Sequence, residues 1–147
     1  METMALSQDQ KSLIIAPKDR DREKDFKGLY TIDLASKKMA AVPSIKIDMR
    51  DTVFEKSGKK KTYTSFRPSD LAIQPSTGDY YVLEGVAPKI LVLDAMGIIK
   101  RVIPLNPKDF TQPEGIAFSP NGRLLVASEA NGGVAIIAEI VIDGVDQ

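Results

Sequence analysis

The chain reads EGIAFSPNGRLLVA from Glu114 to Ala127, and this pattern of strand, turn and strand recurs twice upstream. Residues Ser69 to Leu83 read SDLAIQPSTGDYYVL, and residues Glu2 to Ala16 read ETMALSQDQKSLIIA. The central alanines of successive copies lie 67 and 45 residues apart. A repeat of this length is typical of architectures that stack one supersecondary unit on the next.

Each copy begins as a β-hairpin, because a turn separates two apolar runs. Asn121-Gly122 allows a positive φ at no steric cost, and Pro75 and Pro120 preset the backbone of their turns. A third apolar run follows in every copy, and a fourth run follows in the first two copies, at residues 43–47 and 98–103. The sequence therefore predicts four antiparallel strands per unit.

Four antiparallel strands form one blade of a β-propeller. We predict an all-β fold, a β-propeller fragment of about three four-stranded antiparallel blades, which is half of a six-bladed propeller. The blades are expected at about 1–50, 66–105 and 112–145 within a single half-propeller unit over residues 1–147. The last blade is expected to lack one strand, because Ile140–Ile142 either extends the third strand or turns back as a fragment of a fourth.

Three blades do not close a ring, since propellers typically have four to eight. The apolar faces of the end blades then need neighbours, as in other stacked repeats. We predict a partner, which is either a second copy, making a homodimer with a six-bladed ring, or a missing N-terminal half. Met1 stands where Pro68 and Pro113 stand in the other copies, so upstream residues are expected in the natural gene product.

The composition excludes several classes of chemistry. The chain has 20 basic and 20 acidic residues and neither cysteine nor histidine. Disulfides, thiolate nucleophiles, serine-histidine catalysis and cysteine-rich zinc sites are thereby excluded, so any metal must have oxygen ligands. The charge balance gives no basic surplus for nucleic acid. No stretch approaches the ~20 apolar residues of a membrane span, and no signal-peptide pattern is visible.

Two long connections, residues 17–27 and 49–66, are rich in charge, and we predict that both are surface loops. No substantial helix is expected, because residues 17–27 have almost no apolar stripe to bury. The run from Asp19 to Asp25 imitates the alternating acids of a calcium loop. Lys24 stands where the EF-hand loop needs glycine, and the interleaved cations cancel the negative field. We therefore predict a solvated charged loop there.

Acidic residues stand at the start of the first strand of each copy, at Glu2, at Asp70 beside Ser69, and at Glu114. First strands of blades line the central channel, so these side chains are expected at one mouth. Because Ca²⁺ takes six to eight oxygen ligands, the sequence predicts a calcium site formed by the three acids. The competing interpretation is that they accept hydrogen bonds from backbone groups between blades or face water.

Two further charged sets carry weaker signals. Glu84 and Glu129 follow the second strands of blades two and three, and we predict that they are exposed strand ends rather than a second acidic site. Lys59–Lys61 has no flanking aromatic residues that could stack on bases, so it is expected to serve solubility rather than polyanion binding.

Residues Gln112 to Gly122, Phe66 to Ile73 and Thr77 to Leu83 resemble the SdiA-regulated family. The resemblance implies a six-bladed TolB-like propeller, related to esterase-like phytase and NHL-type propellers, of which this chain matches the C-terminal half. It also implies a bacterial protein of the periplasm or cell envelope without a settled activity.

These observations leave more than one function open. The first is a binding or scaffold module that holds a ligand or partner at the channel mouth, with Ca²⁺ as a possible cofactor and no catalytic residue assigned. The second, implied by the phytase-like resemblance, is a calcium-dependent phosphoester or ester hydrolase that uses basic groups such as Lys18, Arg67 or Arg123 to hold phosphate. The third is an assembly unit whose open blade edges pair with another subunit.

Overall fold

The structure is a computed structural model that describes residues 3–19, 21, 25–57, 66–130 and 132–142. The first sheet has the strand order β1-β2-β3-β4, and each neighbouring pair is antiparallel. Its strands are β1 (Thr3–Leu6), β2 (Ser12–Ala16), β3 (Phe26–Asp33) and β4 (Ile45–Asp48). Across the described residues, no helix has the length and apolar character that a membrane span requires.

The second and third sheets repeat this antiparallel order. The strands of the second sheet are β5 (Pro68–Ile73), β6 (Tyr80–Glu84), β7 (Lys89–Leu93) and β8 (Ile99–Pro104). Those of the third are β9 (Pro113–Phe118), β10 (Leu124–Ser128) and β11 (Ile136–Ile140). In the part of the chain that the structure describes, the third sheet has three strands. Ile140 ends β11, so the final apolar run extends the third strand in part.

The three sheets stand side by side, with their first strands next to one another. Strand β5 lies between β1 and β9. One apolar core fills the space between the first two sheets, and a second core fills the space between the second and third. Completely buried side chains such as Leu29, Val82 and Leu91 form the first core, while Leu83 and Val126 contribute to the second. The predicted all-β propeller fragment is confirmed.

The turns follow local chemistry. In the second sheet, Asp94 Oδ1 accepts hydrogen bonds from the backbone N–H groups of Met96 and Ile98, both at 2.9 Å, which closes the β7–β8 turn. Gly97 in this turn has φ of 87°. A Cβ at Gly97 would lie 2.5 Å from Cγ2 of Ile45, so glycine here permits the turn to pack against the first sheet.

The structure corrects the prediction that both long connections are surface loops. Strand β3 begins at Phe26, inside the first connection. The second connection contains a short 3-10 helix, Thr52–Ser57. Phe54 and Phe66 are buried, with ring centroids 5.8 Å apart, because the sheets leave an apolar gap that these rings fill. Lys59–Lys61 lies outside the described residues.

Candidate functional site

Asp70 lies where the first strands of the three sheets meet. Its Oδ2 accepts a hydrogen bond of 2.9 Å from the backbone N–H of Ile116 in the third sheet. The backbone N–H groups of Leu71, in its own strand, and of Met4, in the first sheet, also favour its charged form. Met4, Leu71 and Ile116 each directly precede the central alanine of their repeat. Equivalent amides of three blades therefore converge on one carboxylate.

Burial and hydrogen bonding shift the pKa of Asp70 in opposite directions. Burial raises the pKa of the Asp70 carboxyl, because it removes water from the charged form. The three backbone N–H groups lower it, and burial is the larger influence. This carboxylate thus bears a desolvation cost that its bonds to three strands partly offset.

The three acids of the predicted calcium site lie in different surroundings. A carboxylate has about four lone-pair positions, and Asp70 directs much of this capacity to backbone N–H groups. Glu114 is exposed, and its Oε1 accepts a hydrogen bond of 2.7 Å from Nε2 of Gln112. Glu2 lies outside the described residues. Among those described, no group of three or more acidic side chains could hold a metal ion. The calcium site stays a prediction.

Ser69, next to Asp70, links the second and third sheets. Its side chain is buried, and its Oγ donates to the backbone oxygen of Pro113 at 3.0 Å. A Cβ at Gly85 would lie 3.0 Å from the same oxygen, so the backbones approach closely here. Ser69 and Asp70 together bind β5 to β9.

Lys27 is completely buried in β3, and sequence reasoning missed it. Its Nζ donates to the backbone oxygen of Lys18 at 2.9 Å and to that of Asp19. Burial lowers the pKa of Lys27 to about 8, although the charges of Asp19 and Asp21 act to raise it. The ammonium group therefore anchors the β2–β3 connection to the first sheet. A lysine in a charged run gives no sequence signal of burial.

Asp21 closes the same connection from the other side. Its Oδ2 accepts from the backbone N–H of Gly28 at 2.7 Å, and its Oδ1 accepts from the hydroxyl of Tyr30 at 2.6 Å. Asp21 is itself buried. The interpretation of Asp19 to Asp25 as a solvated loop is therefore wrong at Asp21, because this carboxylate caps a backbone donor of β3.

Glu84 also corrects a prediction, because it is completely buried instead of forming an exposed strand end. Its carboxylate forms an ion pair with Lys89, the residue opposite it in β7. Burial of the acid is tolerated because the neighbouring strand supplies a cation. Glu129, which directly follows β10 in the third sheet, is exposed, as predicted.

The basic groups of the hydrolase alternative are not gathered in one place. Arg67 precedes β5 and pairs with Asp19 at 2.5 Å. Arg123 follows the β9–β10 turn and pairs with Glu139 at 3.2 Å. Because β5 and β9 run side by side in the same direction, Arg67 and Arg123 stand at opposite ends of the sheets. These two residues cannot hold one phosphate together.

The fold defines the chain as a β-propeller module. Comparisons with known proteins found no matching family model and no matching curated protein. Among solved structures, hydrazine synthase from Kuenenia stuttgartiensis is 18% identical, with a TM-score of 0.50 over 86% of this chain and 28% of that chain. Virginiamycin B lyase from Staphylococcus aureus is 19% identical, with a TM-score of 0.48 over 97% of this chain and 42% of that chain.

The chain spans less than half the length of either neighbour. At such identity, the likeness to hydrazine synthase supports the propeller fold and gives no information about activity. The resemblance to the SdiA-regulated family stays a prediction, since no family model matches the chain.

We expect Asp70→Ala to lower the free energy of unfolding by about 1–3 kcal/mol, because it leaves the backbone N–H of Ile116 without its acceptor. Urea unfolding measures this difference. Asp48→Ala is the control, because Asp48 is an exposed carboxylate paired with Arg50, and we expect a loss below about 1 kcal/mol. Equal losses in the two variants would contradict the joining role of Asp70.

We expect Lys27 to make the free energy of unfolding depend on pH in the alkaline range. An unfolded lysine has a pKa of 10.5 and folded Lys27 one of about 8, so the unfolded chain binds more protons between these values. The free energy of unfolding of the wild type, relative to Lys27→Met, should therefore rise from pH 8 to 10.5 by up to about 3 kcal/mol. Lys11→Met, at an exposed lysine, is the control. A constant difference between wild type and Lys27→Met across this range would refute the assignment.

Proposed function

We propose that this protein is a binding or scaffold β-propeller module whose ring is completed by a second copy of the chain. The observation that carries this proposal is that both end sheets turn an apolar face away from the described part of the chain. The equivalent faces between neighbouring blades of this chain are buried in its two cores. Apolar patches on a surface commonly mark interaction sites.

The outer face of the third sheet carries Ala117, Leu125, Ala127 and Ile137, which alternate with residues that point into the second core. Ile137 is 77% exposed. In the second sheet, the corresponding positions are Ala72, Tyr81, Leu83 and Ile90, and all four are buried against the third sheet. Glu139, opposite Leu125, stands on this face where the second sheet has Val92. The other positions keep the apolar residue types of an internal blade face without a blade to cover them.

The outer face of the first sheet also carries exposed apolar residues. Met4 is 63% exposed and Leu6 is 47% exposed. Leu71 and Ile116 hold the position of Met4 in the next two repeats, and they are buried at 2% and 6% exposure. A residue type that belongs between blades thus stands uncovered at this end too.

A second copy can cover both faces, because each copy has one exposed face on its first sheet and one on its third sheet. Two chains placed head to tail would set the third sheet of one against the first sheet of its partner, twice over, and six blades would form a closed ring. A missing N-terminal half that supplies three further blades would cover the same faces, and the measurements below distinguish the two.

A role in the bacterial cell envelope belongs to the same proposal and rests on the resemblance to the SdiA-regulated family. A calcium ion at the channel mouth would be held by Glu2, Asp70 and Glu114. The support for calcium is the position of these acids at the start of the first strands. Nothing in the arrangement of Lys18, Arg67 and Arg123 favours the hydrolase alternative.

We expect the wild-type chain to have twice its monomer mass of 16.1 kDa in light scattering coupled to size-exclusion chromatography. Ile137→Glu should reduce the dimer to monomer, because it places a charge on a face that the partner would cover. Met96→Lys changes another highly exposed apolar residue, on the β7–β8 turn, and should leave the dimer intact. A monodisperse wild-type monomer would exclude the second copy and favour a missing half.

We expect added calcium to raise the midpoint of thermal unfolding of the wild type, since a ligand that binds only the folded state stabilises it. Glu114→Ala should reduce the calcium-dependent increase, because it removes a proposed ligand. Glu129→Ala, at another exposed acid of the third sheet, is the control. An unchanged midpoint in the wild type would end the calcium proposal and leave the module proposal intact.

A further inference from the structure

The outer face of the third sheet contains a hollow of about 500 Å³ at the end where β9 begins. Gly115, Ala127 and Ile137 lie opposite one another in β9, β10 and β11, so they form one row across this face. Glu114 and Glu129 stand beside the row. We call this site the blade-end hollow and define it by these five residues, which all line it.

Small residues open the blade-end hollow. In the second sheet the corresponding row consists of Asp70, Leu83 and Ile90, and the third sheet covers it. Gly115 and Ala127 stand in the places of Asp70 and Leu83, so two larger side chains are replaced by small ones. A side chain of a partner can therefore approach the backbone of the third sheet closely at this point.

Each internal interface buries a phenylalanine at this end of the sheets. Phe66 lies just before β5 and belongs to the first core together with Ala16. Phe110 lies just before β9 and belongs to the second core together with Leu83. Ala16 and Leu83 hold the position of Ala127, because each pairs with the residue two places before the central alanine of its repeat. The blade-end hollow therefore corresponds to the place where a third such ring would lie.

Glu114 places a negative charge where the second sheet has a hydroxyl group. It holds the position of Ser69, since both directly follow the proline at the start of a first strand. Ser69 donates to the backbone oxygen of Pro113 in the next sheet, so this position faces the neighbouring blade. An ionised carboxylate only accepts hydrogen bonds. A partner that lies against Glu114 must therefore supply a donor, and the exposed Glu129 adds a second negative charge.

A basic residue follows the ring in one of the two internal interfaces. Arg67 comes directly after Phe66, and its guanidinium group pairs at 2.5 Å with Asp19, in the connection after β2. A segment with the same order of residues would place its ring in the blade-end hollow and its cation against Glu114 and Glu129. The two acids thus favour an aromatic residue that is followed by a basic one.

We propose that the blade-end hollow binds a protein segment in which an aromatic residue is directly followed by a basic residue. The ring would lie over Gly115 and Ala127, and the basic side chain would form ion pairs with Glu114 and Glu129. This proposal rests on the proposed function, because the third sheet must be open to a partner. It does not require that the partner is a second copy, since any chain with such a segment fits the hollow.

The experiment is a fluorescence anisotropy titration of a labelled peptide with the full chain, in the presence of a calcium chelator. The peptide TSFRPS repeats residues 64–69 and contains the Phe66-Arg67 pair. The wild type is compared with Met4→Glu, whose added charge on the first sheet keeps a second copy away from the third sheet. We expect saturable binding, and no saturable binding to either chain would overturn the proposal.

Two altered peptides identify the groups that bind. Phe66→Ala in the peptide should weaken binding at least about tenfold, because it removes the ring that the hollow buries. Arg67→Gln in the peptide should weaken binding about two- to fivefold, because ion pairs with exposed carboxylates contribute little. Equal binding of all three peptides would also contradict the proposal.

Two variants of the chain locate the site. Ala127→Trp fills the hollow with a ring of its own and should weaken peptide binding at least about tenfold. Ala117→Trp is the matched control, because it makes the same change on the same face outside the hollow, and it should leave binding within about twofold. Equal weakening by the two variants would mean that the peptide binds elsewhere.

Glu129→Gln tests the charges of the hollow. It should weaken binding of the unaltered peptide about two- to fivefold and leave the Arg67→Gln peptide unaffected, because that peptide has no cation to pair. Equal weakening of both peptides would refute the pairing of the basic residue with the acids. A wild-type monomer that binds the peptide would exclude the second copy and support this proposal, whereas a dimer without peptide binding in either chain would do the reverse.

Discussion

The structure depends on one contact between sheets, which is the convergence of three backbone N–H groups on the carboxylate of Asp70. Strands β1, β5 and β9 are each the edge strand of their own sheet, so their outward N–H groups have no partner within that sheet. Unpaired backbone donors are costly when they are buried. Asp70 accepts a hydrogen bond from Ile116, and the backbone N–H groups of Met4 and Leu71 also favour its charged form, so this carboxylate lies where the first strands meet.

The two ends of the sheets carry different chemistry as a result. At the end where β5 begins, buried charges hold the long connection between β2 and β3 against the first sheet, through Lys27 and Asp21. Each of these two buried charges has hydrogen-bond partners of its own, which are backbone oxygens for Lys27 and the Gly28 N–H and Tyr30 hydroxyl for Asp21. At the opposite end, between the short β5–β6 and β9–β10 turns, a crevice opens beside the edge-to-face pair of Tyr81 and Phe118.

The sequence predicted those parts of the molecule that local chemistry controls. The turn at Asp94 is closed by its own carboxylate, and the hairpin turn at Asn121-Gly122 contains Gly122 with φ of 82°. The copies of the repeat therefore yield the hairpins, the third strands and the two four-stranded sheets. Lys27 and Glu84 were missed because a charged side chain in a polar run normally indicates exposure. Only the tertiary structure reveals the backbone oxygens of the β2–β3 connection and the lysine of β7 that make their burial possible.

The amino-acid sequence by itself determined the number of blades, the antiparallel strand order and the position of acids at the start of the first strands. These features follow from alternation, turn residues and repeat spacing, which act over a few residues. Tertiary structure alone decided that Asp70 joins three strands, that Phe54 fills a gap between sheets and that an aromatic crevice opens beside Arg123. Each of these depends on contacts between segments far apart in the chain, and no local pattern encodes which of them meet.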